Sequence, residues 1–351
     1  MKTKAYIAVF VQVWIFSTAV LYTQAQTAFR FSQWYNAPLL TNPANTGFIP
    51  DADYRVGANY RNQYAPSLAT PFQTFGIWGD AQLLREKISS GWIGAGGMIL
   101  KDVAGSGGAL SSTRAYGSLA YHQMIGFSHL LSFGISAGWA NKRINTSQLI
   151  FPQDFSGFLA NNNKNGSSYA LQNNNINYVD VQAGLNYAFF PSNKVYINAG
   201  LSAWYLNRPR ESFFAFDVPD YNPRIAPRYS FFTNASIKIN NDVILNPMTY
   251  FSIQNKAKEF LLGAHLQYNL SGNGEKQLYG GLYARAGDAI IPMIGFELNF
   301  LRIQFTYDVT TNGFGSFNKF STGSYEFSLM RPGFYNLYKG NRRQTLCPSF
   351  Y

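Results

Sequence analysis

The chain has 351 residues, a formal net charge of +11, 46% hydrophobic and 13% charged residues, and a single cysteine. Charged residues stand at about half the roughly 25% usual for soluble domains, which argues against an ordinary cytosolic surface, and one cysteine excludes an internal disulfide. The aromatic residues (24 Tyr, 30 Phe, 6 Trp) argue against disorder, and the ordinary apolar fraction argues against a protein built of ~20-residue apolar helical spans.

At the start, Lys2 and Lys4 precede an apolar stretch from Ala5 to Leu21, followed by Thr23-Gln24-Ala25. This order of basic, apolar and small residues reads as a secretory signal peptide over 1–25. The mature chain is then expected outside the cytoplasm, which removes most of the case for nucleic acid that the positive charge raises. The next segment, 26–54, includes the stretch from Phe31 to Leu39, with Ser32, Gln33, Trp34 and Tyr35, which is rich in aromatic residues, weakly charged and precedes the first strand. Asn36, Pro38, Asn42 and Pro43 are turn formers. Such a segment sits poorly in water, so it is expected to fill the mouth or lumen of the following domain as a plug, or to dock on a partner.

From residue 55 onward the hydrophobic pattern has period two. Leu131, Phe133, Ile135, Ala137 and Trp139 share one face, and Ser132, Gly134, Ser136 and Gly138 the other. The same alternation runs through Val179–Tyr187, Val195–Leu201, Phe260–Tyr268 and Leu301–Val309. Asp180, Arg302 and Asp308 all fall on polar faces. Alternate side chains of a strand point to opposite faces, so each run has one apolar face without charge. The alternation and its turn residues predict about fourteen strands, near 55–64, 70–84, 91–102, 111–125, 129–144, 177–190, 194–206, 229–239, 243–255, 258–270, 277–286, 289–298, 301–310 and 322–330. Many reach the roughly nine to eleven residues of a tilted membrane-spanning strand. The expected fold is therefore all-β: a single transmembrane antiparallel β-barrel over 55–330, with charges kept off the lipid face. Tyr64, Trp78, Trp92, Tyr121, Trp139, Phe189, Tyr205 and Tyr307 lie near strand ends and are expected to form interfacial aromatic girdles.

The three longest links, near 145–176, 207–228 and 311–321, all follow odd-numbered strands, and short links follow even-numbered ones. Outer-membrane barrels sort loops this way, with short periplasmic turns and long outer loops. A sandwich has no reason to. Both barrel ends are then expected on the periplasmic side, with 331–351 as a short periplasmic tail. The first long loop is rich in Asn, Gly and Ser. The second carries Arg208, Arg210, Arg224 and Arg228 among prolines, and reads either as a solvated loop beside lipopolysaccharide phosphates or as a grip on an acidic surface.

Chemistry-bearing patterns are sparse. His122, His129 and His265 lack metal-ligand spacing. Ser118 and His122 share a strand face and are the one pair that would suit a hydrolase. Gly94-Ala95-Gly96-Gly97 lies in a strand, and Gly105-Ser106-Gly107-Gly108 in a hairpin loop, so neither leads a helix that would cradle phosphate. No catalytic, cofactor-binding or metal-ligating residue is nominated. Cys347 is a lone thiol, given a packing or interaction role.

Phe31-Ser32-Gln33-Trp34-Tyr35-Asn36-Ala37-Pro38-Leu39, then Asn42-Pro43-Ala44 and Gly47, resembles the N-terminal signature of the PorP/SprF family. Tyr54-Arg55-Val56-Gly57, Asn59-Tyr60-Arg61-Asn62-Gln63, Gly281-Leu282-Tyr283-Ala284-Arg285 and Gly287-Asp288-Ala289-Ile290-Ile291-Pro292 are similar to later parts of it. Cys347-Pro348-Ser349-Phe350 resembles its terminal Cys-Pro-x-Phe. Trp34 stands where Tyr is usual, Tyr64 where Trp is common, and Ser349 where Arg is common. The resemblance implies an outer-membrane barrel of the type IX secretion system, linked in some members to gliding. Its partners would be secretion-system components, a large exported surface protein such as an adhesin, or both, along with outer-membrane lipid. Candidate plug or partner-binding residues are Phe31, Ser32, Gln33, Trp34, Tyr35, Asn36, Pro38, Asn42, Pro43, Cys347, Pro348 and Phe350. The competing reading is a transporter similar to the FadL group, which also has about fourteen strands and an N-terminal hatch; it requires an apolar pocket in the lumen.

Overall fold

The computed structural model describes residues 31–50, 52–64, 71–88, 90–105, 108–145, 174–213, 223–272, 274–311 and 323–335. The expected signal peptide, most of the Asn-rich loop, and Cys347, Pro348 and Phe350 lie outside the described residues. Fourteen strands follow in order: β1 (Tyr54–Gln63), β2 (Phe72–Leu83), β3 (Gly91–Ala104), β4 (Leu110–Ile125), β5 (His129–Ile144), β6 (Asn175–Ser192), β7 (Val195–Trp204), β8 (Arg228–Lys238), β9 (Val243–Gln254), β10 (Ala257–Asn269), β11 (Lys276–Arg285), β12 (Ala289–Leu298), β13 (Leu301–Thr310) and β14 (Gly323–Gly333). Every bound lies within three residues of the one expected from periodicity.

Each strand pairs antiparallel with its sequence neighbours, and β1 pairs with β14 from Tyr54↔Gly333 to Gln63↔Ser324, closing the barrel. Closure satisfies the backbone groups of both would-be edges, which an open sheet would leave bare. The two-residue link Asn299-Phe300 has positive φ at both positions (49° and 66°), as a tight hairpin of right-handed twist requires. The three longest links leave from one end of the barrel, while β1 begins and β14 ends at the other, short-turn end.

The outer face is apolar. Leu201 is 57% and Ile294 65% exposed, and Val56, Leu119, Val179, Leu282 and Ile303 point the same way. The inner face is polar yet buried: Asp180 and Glu326 are 0% exposed. An aqueous protein would invert this arrangement, whereas a hydrocarbon solvent demands it. Among the described residues no helix is long and apolar enough to cross a membrane; the strands take that role. Three of the aromatics expected in girdles do not belong there. Trp78, Trp92 and Tyr205 are buried on the lumen side, where the Trp78 and Trp92 indole N–H groups reach Asn59 Oδ1 (2.9 Å) and Gly47 O (2.8 Å). Nearness to a strand end does not fix the face. Strand parity does, and Trp78 shares its parity with the lumen residue Asp80.

Candidate functional site: a lumen occupied by residues 31–50

The polar inner wall is buried because the segment before β1 lies inside the barrel. It has little regular structure: a 3₁₀ turn (Trp34–Asn36), one helical turn α1 (Pro38–Thr41) and a second 3₁₀ turn (Pro43–Asn45). Its beginning lies toward the long-loop end and its last residues at the short-turn end, where the chain enters β1.

Near the long-loop end, β1, β11, β13 and β14 converge on Ser32. Its hydroxyl donates to Asp308 (2.8 Å) and accepts from Arg61 Nη1 (2.5 Å) and Arg285 Nη2 (2.7 Å). The Ser32 and Gln33 backbone N–H groups both donate to the Glu326 carboxylate, at 2.7 and 2.9 Å. Arg61 also pairs with Asp308 (2.8 Å) and Glu326 (3.2 Å), and Arg285 with Asp308 (2.9 Å) and Glu259 (3.2 Å). Charge-assisted bonds of this kind are the strong ones in a water-poor interior, and losing one member strands the others. One step inward, Gln33 Nε2 donates to Thr306 Oγ1 (3.2 Å), and Asn36 Nδ2 donates to Gln304 Oε1 (2.5 Å) and Ser328 Oγ (2.8 Å).

Trp34 stacks on Tyr250 (centroids 5.5 Å apart) and tilts against Phe232, while Tyr35, half-buried, stacks on Tyr283 (5.8 Å). Phe31 and Leu39 join Trp78, Leu100, Tyr116 and Trp204 in a second apolar cluster. Pro38 opens α1 at a position where its missing N–H costs nothing. Asn42 then caps the following turn, its Oδ1 accepting from the Ala44 N–H at 2.8 Å. The Asn42 amide also donates to the carbonyls of Leu185 (2.9 Å) and Leu201 (3.1 Å) in β6 and β7. That approach to bare backbone is possible because Gly184 carries no Cβ; a methyl there would overlap Asn42 Oδ1. Gly134, its cross-strand partner, makes the same room for Pro43 and Ala44. Ser202 Oγ donates to Thr41 O (2.8 Å), and Asn186 Nδ2 to Asn45 Oδ1 (2.9 Å).

At the short-turn end, Gly47 adopts φ +68°, a left-handed conformation that a side chain resists. Its N–H donates to Asp80 Oδ2 (2.6 Å), and Arg55 grips the same carboxylate through two bonds (2.8 and 2.9 Å). Phe48 packs with Trp92, Leu130, Phe190 and Tyr196. Beyond β14, the Tyr335 N–H donates to Asp53 Oδ2 (2.7 Å), tying the start of the tail to the chain just before β1.

The structure does not couple Ser118 to His122. Ser118 shares a hydrogen bond with Thr46 Oγ1 (2.7 Å). His122 Nε2 faces Thr46 O (2.8 Å) and so carries the proton, leaving Nδ1 to accept from Ser132 Oγ (2.7 Å). Both groups are covered by the segment. His265 lies on the lumen face, with Nδ1 2.7 Å from Tyr283 Oη. Among the described residues no group of His, Cys, Asp and Glu is placed to hold a metal. A cavity bounded by Phe31, Trp34, Leu40, Thr41, Arg228, Tyr250 and Glu259 measures about 20 Å³, room for about one water.

Of the sequence-nominated residues, Phe31, Ser32, Gln33, Trp34, Asn36, Pro38, Asn42 and Pro43 are all buried inside the barrel, close together along one thread. Sequence reasoning missed their wall partners: Arg61, Asp80, Arg285, Asp308 and Glu326, and the glycines Gly134 and Gly184. The available signal was a charge or a glycine on the polar face of an otherwise alternating strand.

Residues 23–330 match the model of the family described as type IX secretion system membrane protein PorP/SprF. No match was found among curated proteins. Among solved structures, the barrel is similar to the CymD monoaromatic hydrocarbon channel (TM-score 0.50, 8% identity, covering 86% of this chain and 93% of that one). It is also similar to the toluene transporter TodX of Pseudomonas putida (0.49, 11%, 86% and 95%) and the toluene transporter TbuX of Ralstonia pickettii (0.47, 11%, 85% and 94%). At these identities the likeness is one of fold.

Proposed function

From the premise that the chain belongs to the PorP/SprF family of type IX secretion system membrane proteins and is an outer-membrane β-barrel, we propose that it supports secretion or surface attachment of a large exported protein, such as an adhesin, without catalysing a reaction. The family match, running from before the lumen segment almost to the end of β14, carries this reading. In it, residues 1–25 are a signal peptide removed on export. Residues 26–54 plug the lumen, 55–330 span the membrane, and 331–351 form a periplasmic tail that, with Cys347, Pro348 and Phe350, meets secretion components. The long loops face the cell exterior and the exported protein, and gliding is the behaviour such a protein would serve.

A transporter for a hydrophobic small molecule is the competing reading. It needs an apolar lumen pocket, whereas the cavity beside Trp34 is about 20 Å³ and bounded in part by Arg228 and Glu259. The two readings separate in a deletion strain. Loss of one or a few large proteins from the cell surface, restored by the intact gene, supports the secretion role. An unchanged surface proteome with lost uptake of a hydrophobic compound supports transport.

A further inference from the structure

We propose that the lumen wall is a binding site for a turn-rich polypeptide segment, which residues 31–50 occupy in cis and which accepts the same segment in trans. Three observations carry this. The barrel ladder closes without the segment, through β1 and β14 alone, so the segment supplies no strand pairing. The wall reads main-chain groups: Glu326 accepts two successive backbone N–H groups, His122 donates to Thr46 O, Trp92 to Gly47 O, and Ser202 to Thr41 O. The wall is also cut away at Gly134 and Gly184 so that an Asn-Pro turn can lie on bare strand backbone.

These are the features of a peptide receptor, in which main-chain bonds hold the chain and pockets set specificity. Much of the uncovered wall is polar, including Asp80, Arg61 and Asp308, and water can solvate it as in open-lumen barrels. Unseating the segment therefore leaves a wall hydrated along its polar residues, with apolar patches around Trp78, Tyr250 and Trp92 for a replacement segment to cover. The ligand class follows: a segment of successive tight turns offering two adjacent N–H groups, a Trp-Tyr pair and an Asn-Pro turn. The inference rests on lumen geometry and not on the secretion role, so its failure leaves that role standing.

The test uses the full chain with a protease site inserted after Pro50. After cleavage in detergent, a fluorescent synthetic peptide of residues 31–50 is added in excess, and incorporation is followed by anisotropy while heat-modifiable gel mobility reports the folded barrel. The expected result is incorporation into a barrel of unchanged mobility, with an Asn42→Ala peptide about tenfold or more weaker. A Gly184→Val barrel, whose side chain fills the Asn42 socket, should keep its mobility and lose incorporation. No incorporation, loss of the folded band on cleavage, or equal incorporation by the Gly184→Val barrel would each overturn the proposal.

Discussion

Ser32 concentrates the chemistry of the lumen in one hydroxyl, donating to Asp308 while accepting from two guanidinium groups. Asp308 in turn is the shared acceptor of Arg61 and Arg285, so Asp308→Ala takes one carboxylate from each of two buried cations and leaves them only the longer contacts to Glu326 and Glu259. Breaking a buried pair from one side typically costs about 3–5 kcal/mol, and water entering the lumen places this case near the lower end. A urea titration of the refolded barrel in lipid should show that loss, and Ser32→Ala a smaller one of about 1–2 kcal/mol. An unchanged midpoint for Asp308→Ala would contradict the network's structural weight. The Thr46–Ser118 contact gives a second test, because the two hydroxyl oxygens lie 2.7 Å apart. In a Cys347→Ser background, Thr46→Cys with Ser118→Cys should form a disulfide on mild oxidation, visible as a mobility shift. Persistence of two free thiols in the folded barrel would mean the segment is not seated there. The Trp-Tyr and Asn-Pro signature was legible as something that avoids water. Its partners were not, because a lone Asp308 or Glu326 on a strand reveals its face but not which distant residue it meets.

Strands were the most legible elements, since period two fixes both the element and its faces without reference to tertiary contacts. Their bounds held because turn formers such as Gly126 and Asn299 punctuate the apolar runs. Trp78 and Trp92 failed for a reason at this same scale: their girdle assignment used closeness to a strand end, whereas parity puts both on the lumen face. The outward face makes a depth-dependent prediction. Ile294 lies mid-strand in β12 and is 65% exposed. Ile294→Arg should cost about 2–4 kcal/mol in refolding titrations into liposomes, and no measurable cost would contradict its placement against hydrocarbon. Loop orientation is tested by epitope tags. A tag within 207–228 should be labelled on intact cells, and one at Asn240–Asp242 only after the outer membrane is opened; the reverse pattern would invert the barrel.

Taken whole, the molecule is a closed barrel whose interior is filled by its own N-terminal segment, so its two ends are the surfaces open to a large partner while that segment is seated. Fold class and family were legible from the sequence because alternation and the ordered signature are local properties of the chain. The partner was not, because a protein–protein contact is a property of surfaces, and similar barrels serve different tasks. The central claim, a secretion-system barrel engaged with a large exported protein, is tested most directly by affinity capture. The tagged protein is taken from outer membranes in mild detergent and its partners are quantified by mass spectrometry. The account predicts a type IX secretion component or a large exported protein in near-equal amount, with truncation of 336–351, which leaves β14 and its pairing with β1 whole, weakening one of these contacts. Recovery of the barrel alone, carrying bound hydrophobic small molecules, would contradict it.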